Sequence, residues 1–258
     1  MERKKVALVL SGGSALGFAH IGVIKVLEKN NIPIDMIVGT SMGALVGAAY
    51  CAGYSTEEMQ EFGCKFKTLD FFDFNFNKSG LFSGKGVMKT INKFLPDEKI
   101  EFLKKQFACV AVDLLTEKEV IFKSGSVRDA VRASLSIPGI FVPLTIEEKV
   151  LVDGGILNNL PEDVAMEMGA DIIISVDVLS KNYLKKKPTN AIEVLLSSVN
   201  VLTKEVQKIK ACYSDILIQP DTSTLGQMRF GKAPTLKAIR IGVIEAEKYI
   251  DQIKKLIR

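Results

Sequence analysis

At 258 residues, with 47% hydrophobic and 25% charged content, the chain can bury one large core and does not read as disordered. Its formal charge of +4 is small and dispersed, and no arginine-rich stripe or aromatic RNA-binding motif accompanies it, so nucleic acid is excluded as an expected partner. Cys51, Cys64, Cys109 and Cys212 form no C-x-x-C pair, and His20 is the lone histidine, so no metal site is expected and the thiols read as reduced, in a cytoplasmic setting.

In chain order, the apolar run Val6–Leu10 ends at Ser11-Gly12-Gly13, and Ala19–Lys29 follows with helical periodicity. A second apolar run at 34–38 enters Gly39-Thr40-Ser41-Met42-Gly43, and the small-residue helix pattern 44–52 leaves it. Two successive strand-loop-helix units imply a parallel sheet covered on both faces. Further strands are expected at 107–113, 119–123, 149–152 and 172–178, with helices at 126–134 and 161–169. The closing stretch 237–258 reads as one amphipathic helix packed on the core. No run reaches transmembrane length, and the five apolar residues after Met1-Glu2-Arg3-Lys4-Lys5 are too few for a signal peptide. The expectation is one domain that can touch a membrane surface but does not cross it.

Two segments interrupt this order. Seven of the fourteen phenylalanines fall between Phe62 and Phe82, with Phe72, Phe74 and Phe76 at period two. They read either as an aromatic face closing the core or as a cap over an apolar site. The second interruption, 180–190, carries Lys181, Lys185, Lys186 and Lys187 and reads as a solvated loop.

Gly39-x-Ser41-x-Gly43 between a strand and a helix is a nucleophile-elbow pattern, which makes Ser41 the candidate nucleophile. His20 precedes Ser41, whereas a hydrolase triad built on this elbow runs serine, acid, histidine, so either His20 is used unusually or the base is another group. Asp153, at a strand end before Gly154 and Gly155, is a candidate base, although Asp-Gly is also a common turn dipeptide. Gly12, Gly13 and Ser14, with Gly17 after them, can present backbone N–H groups to an oxyanion. A dinucleotide-binding reading of this loop is weakened because Ser14 stands where its middle glycine is required.

Together these stretches resemble the patatin-like phospholipases, in particular their bacterial branch. The likeness extends through 20–24, 112–114, Ala133-Ser134-Leu135-Ser136-Ile137-Pro138-Gly139, Asn158-Asn159-Leu160-Pro161 and 169–171, covering about residues 5–178, with a helical segment from about 190 to 258 beyond it. The resemblance implies a three-layer α/β/α sandwich around a largely parallel sheet, and a serine lipid acyl hydrolase of the phospholipase, lysophospholipase or carboxylesterase kind. It makes Ser41 the nucleophile, Asp153 the proton acceptor, and the Gly12, Gly13 and Ser14 backbone the oxyanion hole. It implies no cofactor and no metal, a lipid or acyl-ester substrate, and His20 in a structural place. The chain departs from the family's G-G-G-x-[RK]-G loop at Ser14 and Leu16. That departure leaves open a second reading, a lipid- or acyl-binding regulatory protein that keeps the architecture without turnover. The sequence leaves the head group, the acyl length and the oligomeric state undetermined.

Overall fold

The computed structural model describes residues 3–67, 82–181, 187–210 and 212–258. Phe72, Phe74, Phe76, Lys185 and Lys186 lie outside the described residues.

The strands are β1 (Val6–Leu10), β2 (Met36–Thr40), β3 (Gln106–Asp113), β4 (Lys118–Phe122), β5 (Leu144–Ile146), β6 (Lys149–Asp153), β7 (Ile172–Val176) and β8 (Ile216–Ile218). They form one sheet in the order β5-β6-β3-β2-β1-β7-β8, with β4 also paired to β3. β1, β2, β3, β7 and β8 run parallel, and β4, β5 and β6 join as antiparallel strands. The sheet is therefore mixed, with a parallel centre and an antiparallel flank.

The helices are α1 (Ala19–Lys29), α2 (Met42–Ala52), α3 (Thr56–Lys65), α4 (Lys85–Phe94), α5 (Val127–Ser134), α6 (Glu162–Glu167), α7 (Ala191–Ile209), α8 (Lys232–Glu247) and α9 (Ile250–Ile257). Strand alternation sorts the core into two faces. Val6, Leu8 and Leu10 join Ile37, Phe107 and Ile174 in a large cluster under α1 and α2, while Ala7 and Val9 join Met36, Val38 and Val110 in a smaller one against Val164 and Ala165 of α6. That is an α/β sandwich with one thick and one thin helical layer.

Several boundaries depart from the periodicity. β2 starts two residues later than the apolar run, because the Asp35 carboxylate takes the Val6 N–H while the Asp35 N–H donates to the Val6 carbonyl, which makes 34–35 a lead-in. β7 stops at Val176, since the Ser11 N–H takes the Val176 carbonyl and Asp177 turns the chain with bonds to the Leu179 and Ser180 N–H groups. The closing stretch is two helices, α8 and α9, parted at Lys248-Tyr249. α8 lies so close to α1 that a Cβ on Gly242 would collide with the Ala19 carbonyl oxygen. The segment after 190 also supplies β8, an edge strand beside β7. Of the phenylalanine-rich stretch, the described Phe62 and Phe66 are core-packed: Phe62 stacks on Phe94 at 3.7 Å, and Phe66 meets Phe230 edge-on at 5.3 Å.

Candidate active site

β3 explains why a serine and an aspartate 112 positions apart meet. Its two edges are shared by three partners: β4 covers Cys109–Asp113 on one edge, so β2 and β6 must share the other. β2 runs parallel to β3 and ends with Thr40 opposite Val110, whereas β6 runs the opposite way and ends with Asp153 opposite Ala111. The two strands thus arrive head-on, and their next residues converge.

Ser41 forms the elbow. Its backbone sits at φ 54°, ψ −121°, and its carbonyl accepts the Leu45 N–H at 3.1 Å as α2 begins. So sharp a turn brings the motif glycines together. A Cβ on Gly39 would lie 2.5 Å from the Gly43 carbonyl carbon, and one on Gly43 would collide with the Leu10 carbonyl. α2 is buried almost throughout, and its N-terminus, the positive end of its dipole, meets Ser41. The Ser41 N–H donates to the Ser134 hydroxyl at 2.7 Å, and that hydroxyl donates to the Val110 carbonyl at 2.7 Å. Ser134, fully buried at the end of α5, therefore pins the elbow to β3.

Asp153 is 6% exposed and held on two sides. Its N–H donates to the Ser136 carbonyl at 2.9 Å, its Oδ1 accepts the Gly155 N–H at 2.8 Å, and its carboxylate faces the cleft it shares with the Ser41 side chain. Burial pushes its carboxyl up to about 6, against the downward pull of Ser41 and Gly155. Arg132 secures the loop behind it, donating to the Ser136 hydroxyl and, at 2.9 Å, to the Val142 carbonyl.

The glycine loop completes the site. The Gly12 N–H donates to the Asn159 carbonyl at 3.3 Å, whereas no described residue accepts from the Gly13 or Ser14 N–H. Ser14 takes φ 53°, a conformation that costs a non-glycine residue about 1–3 kcal/mol, so its amide is placed as a glycine would place it. A Cβ on Gly12 would lie 2.6 Å from Asn159 Oδ1 and 3.1 Å from the Ser41 Cβ, so only glycine lets the loop lie against the nucleophile. Gly17 packs its 3-10 turn on Met42, and Leu16 is fully buried in the core.

His20 lies elsewhere. Its Nε2 is 2.9 Å from the Ser11 carbonyl, which can only accept, so Nε2 carries the proton. Among the described residues Nδ1 has no hydrogen-bond partner, and complete burial lowers the ring to about 4, leaving it neutral at physiological pH. It braces the base of the glycine loop. Among the described residues no group of three or more His, Cys, Asp or Glu side chains is placed to hold a metal ion.

Two clefts open beside Ser41. One, of about 50 Å³, presents Asn159, Asn200, Thr203 and Gln227 beside Leu179 and Leu196. The other, about 10 Å³, is lined by Met42, Leu135, Ile137, Phe141, Met228 and Phe230. Reading the sequence alone does not find Ser134, Asn159 or Thr203. Only Ser134 and Asn159 had a signal, in the stretches that carry the family likeness.

A family model described as patatin-like phospholipase matches residues 8–166. The chain belongs to the patatin-like phospholipase family. Patatin-like phospholipase domain-containing protein 6 of Mus musculus is 34% identical over 185 residues, covering 69% of this chain and 14% of that protein. An uncharacterized NTE family protein of Mycobacterium tuberculosis is 30% identical, covering 99% of this chain and 48% of its own length. The chain thus spans less than half the length of these relatives. Its fold resembles the crystal structure of VipD from Legionella pneumophila, with a TM-score of 0.60 at 14% identity over 98% of this chain and 67% of that one. Among the described residues no helix is long and apolar enough to cross a membrane.

Proposed function

We propose that this patatin-like chain hydrolyses carboxylic esters of lipids through Ser41 and Asp153. The observation that carries the reading is the Ser41 side chain set against a buried Asp153 carboxylate on one cleft, close enough to draw that carboxyl down, with no ion pair to it from the described residues. A carboxyl at about 6 is ionised at neutral pH yet basic enough to accept a proton, as a general base requires.

In this mechanism Ser41 Oγ attacks the ester carbonyl as its proton passes to Asp153. The carbonyl oxygen becomes an oxyanion facing the Gly13 and Ser14 N–H groups, the two donors not already spent in the loop. Collapse expels the alcohol, which takes the proton from Asp153 and leaves an acyl-enzyme on Ser41. Water, deprotonated by Asp153, then attacks the acyl carbonyl, and as the C–Oγ bond breaks Asp153 returns the proton to Ser41 Oγ and the fatty acid departs. The apolar Met42-Phe141-Phe230 wall suits the acyl side of the ester, and the amide-lined cleft suits the alcohol side.

The regulatory reading without turnover is disfavoured because Ser14 adopts the positive φ of the glycine it replaces, so its amide is retained. Labelling with a serine-reactive fluorophosphonate decides between them. The wild type should label, Ser41→Ala should not, and Asp153→Asn should label far more slowly. An unlabelled, folded wild type would overturn the hydrolase reading.

A further inference from the structure

A third cleft, larger than either of those at Ser41, is separate from it. It measures about 610 Å³ and lies between α4 and the chain entering β5, with Lys85, Lys89 and Lys93 on one wall and Arg132, Pro143 and Leu144 on the other. The lysine spacing of four places all three ammonium groups on one face of α4, while Val87, Ile91 and Phe94 bury the opposite face. Like charges so arranged repel one another, and no described lining residue is acidic. Lys89 and Lys93 make no ion pair with any described residue, in contrast to exposed lysines elsewhere, such as Lys25 with Glu57 and Lys65 with Glu61.

The far wall is built to bring a fourth cation to the cleft. Arg132 borders the cleft but is 3% exposed, and its guanidinium is held by Ser136 and Val142, so it adds fixed positive charge behind the wall. It reaches the wall because residue 84 is glycine: a Cβ there would collide with Arg132 Nη2. Exposed ammonium groups on one wall, with the fixed charge of that guanidinium behind the other, suit the charge of a phosphate group. Met88, Pro143 and Leu144 add apolar surface beside the cations, which suits the phosphate of an amphiphile better than inorganic phosphate.

We propose that this cleft is an anion site that takes the phosphate of a lipid headgroup, apart from the clefts at Ser41. It extends the lipid reading to a second place on the surface. Binding is measured without turnover, so failure of the dyad and failure of the cleft give separate signatures.

The test is co-sedimentation of the whole chain with phosphatidylcholine vesicles, with and without phosphatidic acid, for the wild type, Lys89→Gln/Lys93→Gln and Lys89→Arg/Lys93→Arg. A control pair, Lys237→Gln/Lys255→Gln, removes the same charge from α8 and α9. The wild type should prefer the phosphatidic acid vesicles. At roughly fivefold per lysine, the glutamine pair should lose roughly 25-fold in affinity. The arginine pair and the control pair should stay near wild type, and all variants should hydrolyse a short soluble ester alike. Equal losses in the control pair would show a generic charge effect and overturn the site, as would undiminished binding by the glutamine pair. Inorganic phosphate, titrated at constant ionic strength and followed by amide shifts on α4, separates the two sources. Phosphate-induced shifts without selective vesicle binding would overturn the lipid source.

Discussion

The Ser41 backbone N–H and the Ser134 hydroxyl lie 2.7 Å apart, and through that one oxygen the strained elbow is tied to the Val110 carbonyl of β3. The bridge holds the nucleophile where β2 and β6 converge. Because Ser134 is fully buried, water cannot replace it.

Ser134→Ala should therefore orphan a buried donor and a buried acceptor, at about 1–3 kcal/mol for each group left unsatisfied. The melting temperature should fall, and kcat on a short ester should fall more than KM changes, since the loss is in nucleophile alignment. Ser134→Thr keeps the oxygen but adds a methyl to a filled site, at about 1–3 kcal/mol. It should recover kcat while remaining thermally weakened. If kcat tracks melting temperature in both variants, Ser134 only stabilises the fold.

Asp153 makes activity and stability respond oppositely to pH. As a base it must be ionised, so kcat/KM should fall as pH drops through about 6, not near the ordinary aspartate value. Folded Asp153 binds its proton more tightly than the unfolded chain does, so its contribution to stability is present below about 3.9 and is lost as pH rises through about 6. At neutral pH that loss is on the order of 3 kcal/mol. Asp153→Asn should thus be inactive yet melt higher than wild type at pH 7, with the gain vanishing near pH 4. A limb near 6 resembles a histidine's, so the profile needs a His20→Gln control. His20, neutral and bonded to Ser11, should leave the limb unmoved. A limb that disappears with His20 would remove Asp153 from the role.

The central strands were legible because β1 and β3 are unbroken apolar runs between polar or glycine turns, the pattern of strands buried on both faces. Ser41 and Asp153 were legible for a related reason, each standing at a strand end beside glycines. Their meeting was not, since nothing local to β6 says that it runs antiparallel and stops opposite Ala111. β5 and β8, at three residues each, carry too few side chains for a period. α3 did carry a signal: Ser55 and Glu58 form a capping box, with the Glu58 N–H donating to Ser55 Oγ at 3.2 Å. Ser134 has no local mark, because a serine ending a helix reads the same whether its hydroxyl meets water or a nucleophile's amide.

The elbow itself should store free energy. Ser41 at φ 54°, ψ −121° lies where only glycine is unstrained, which costs about 1–3 kcal/mol. Ser41→Gly and Ser41→Ala both remove the nucleophile, but only glycine relieves the backbone. Both should be inactive, and glycine should unfold at higher denaturant concentration than alanine despite its larger chain entropy. Equal midpoints would show that the turn is held without strain.

The glycine loop gives the last prediction. Ser14 at φ 53° carries a strain that Ser14→Gly would relieve, but glycine gives back about 0.4–1 kcal/mol in unfolded-chain entropy. The strain, about 1–3 kcal/mol, outweighs the entropy, so Ser14→Gly should melt slightly above wild type, and a change in activity without a loss of stability reports on the amide. Freed of its Cβ, residue 14 can swing its N–H, which meets charge mainly in the transition state, so kcat should move while KM stays. Ser14→Ala keeps the conformation and removes only the long contact from Oγ to Met228 Sδ at 3.5 Å, so it should behave as wild type. Ser14→Val resists positive φ and should displace the amide, with a loss of about 10²–10³ in kcat if that N–H is a hole donor. Proline is uninformative here, because its φ near −65° would break the turn as well as delete the donor. Steady-state kinetics on a short ester, beside melting curves, separates the cases: a folded valine variant with unchanged kcat would take the Ser14 amide out of the oxyanion hole and leave Gly13 to act alone.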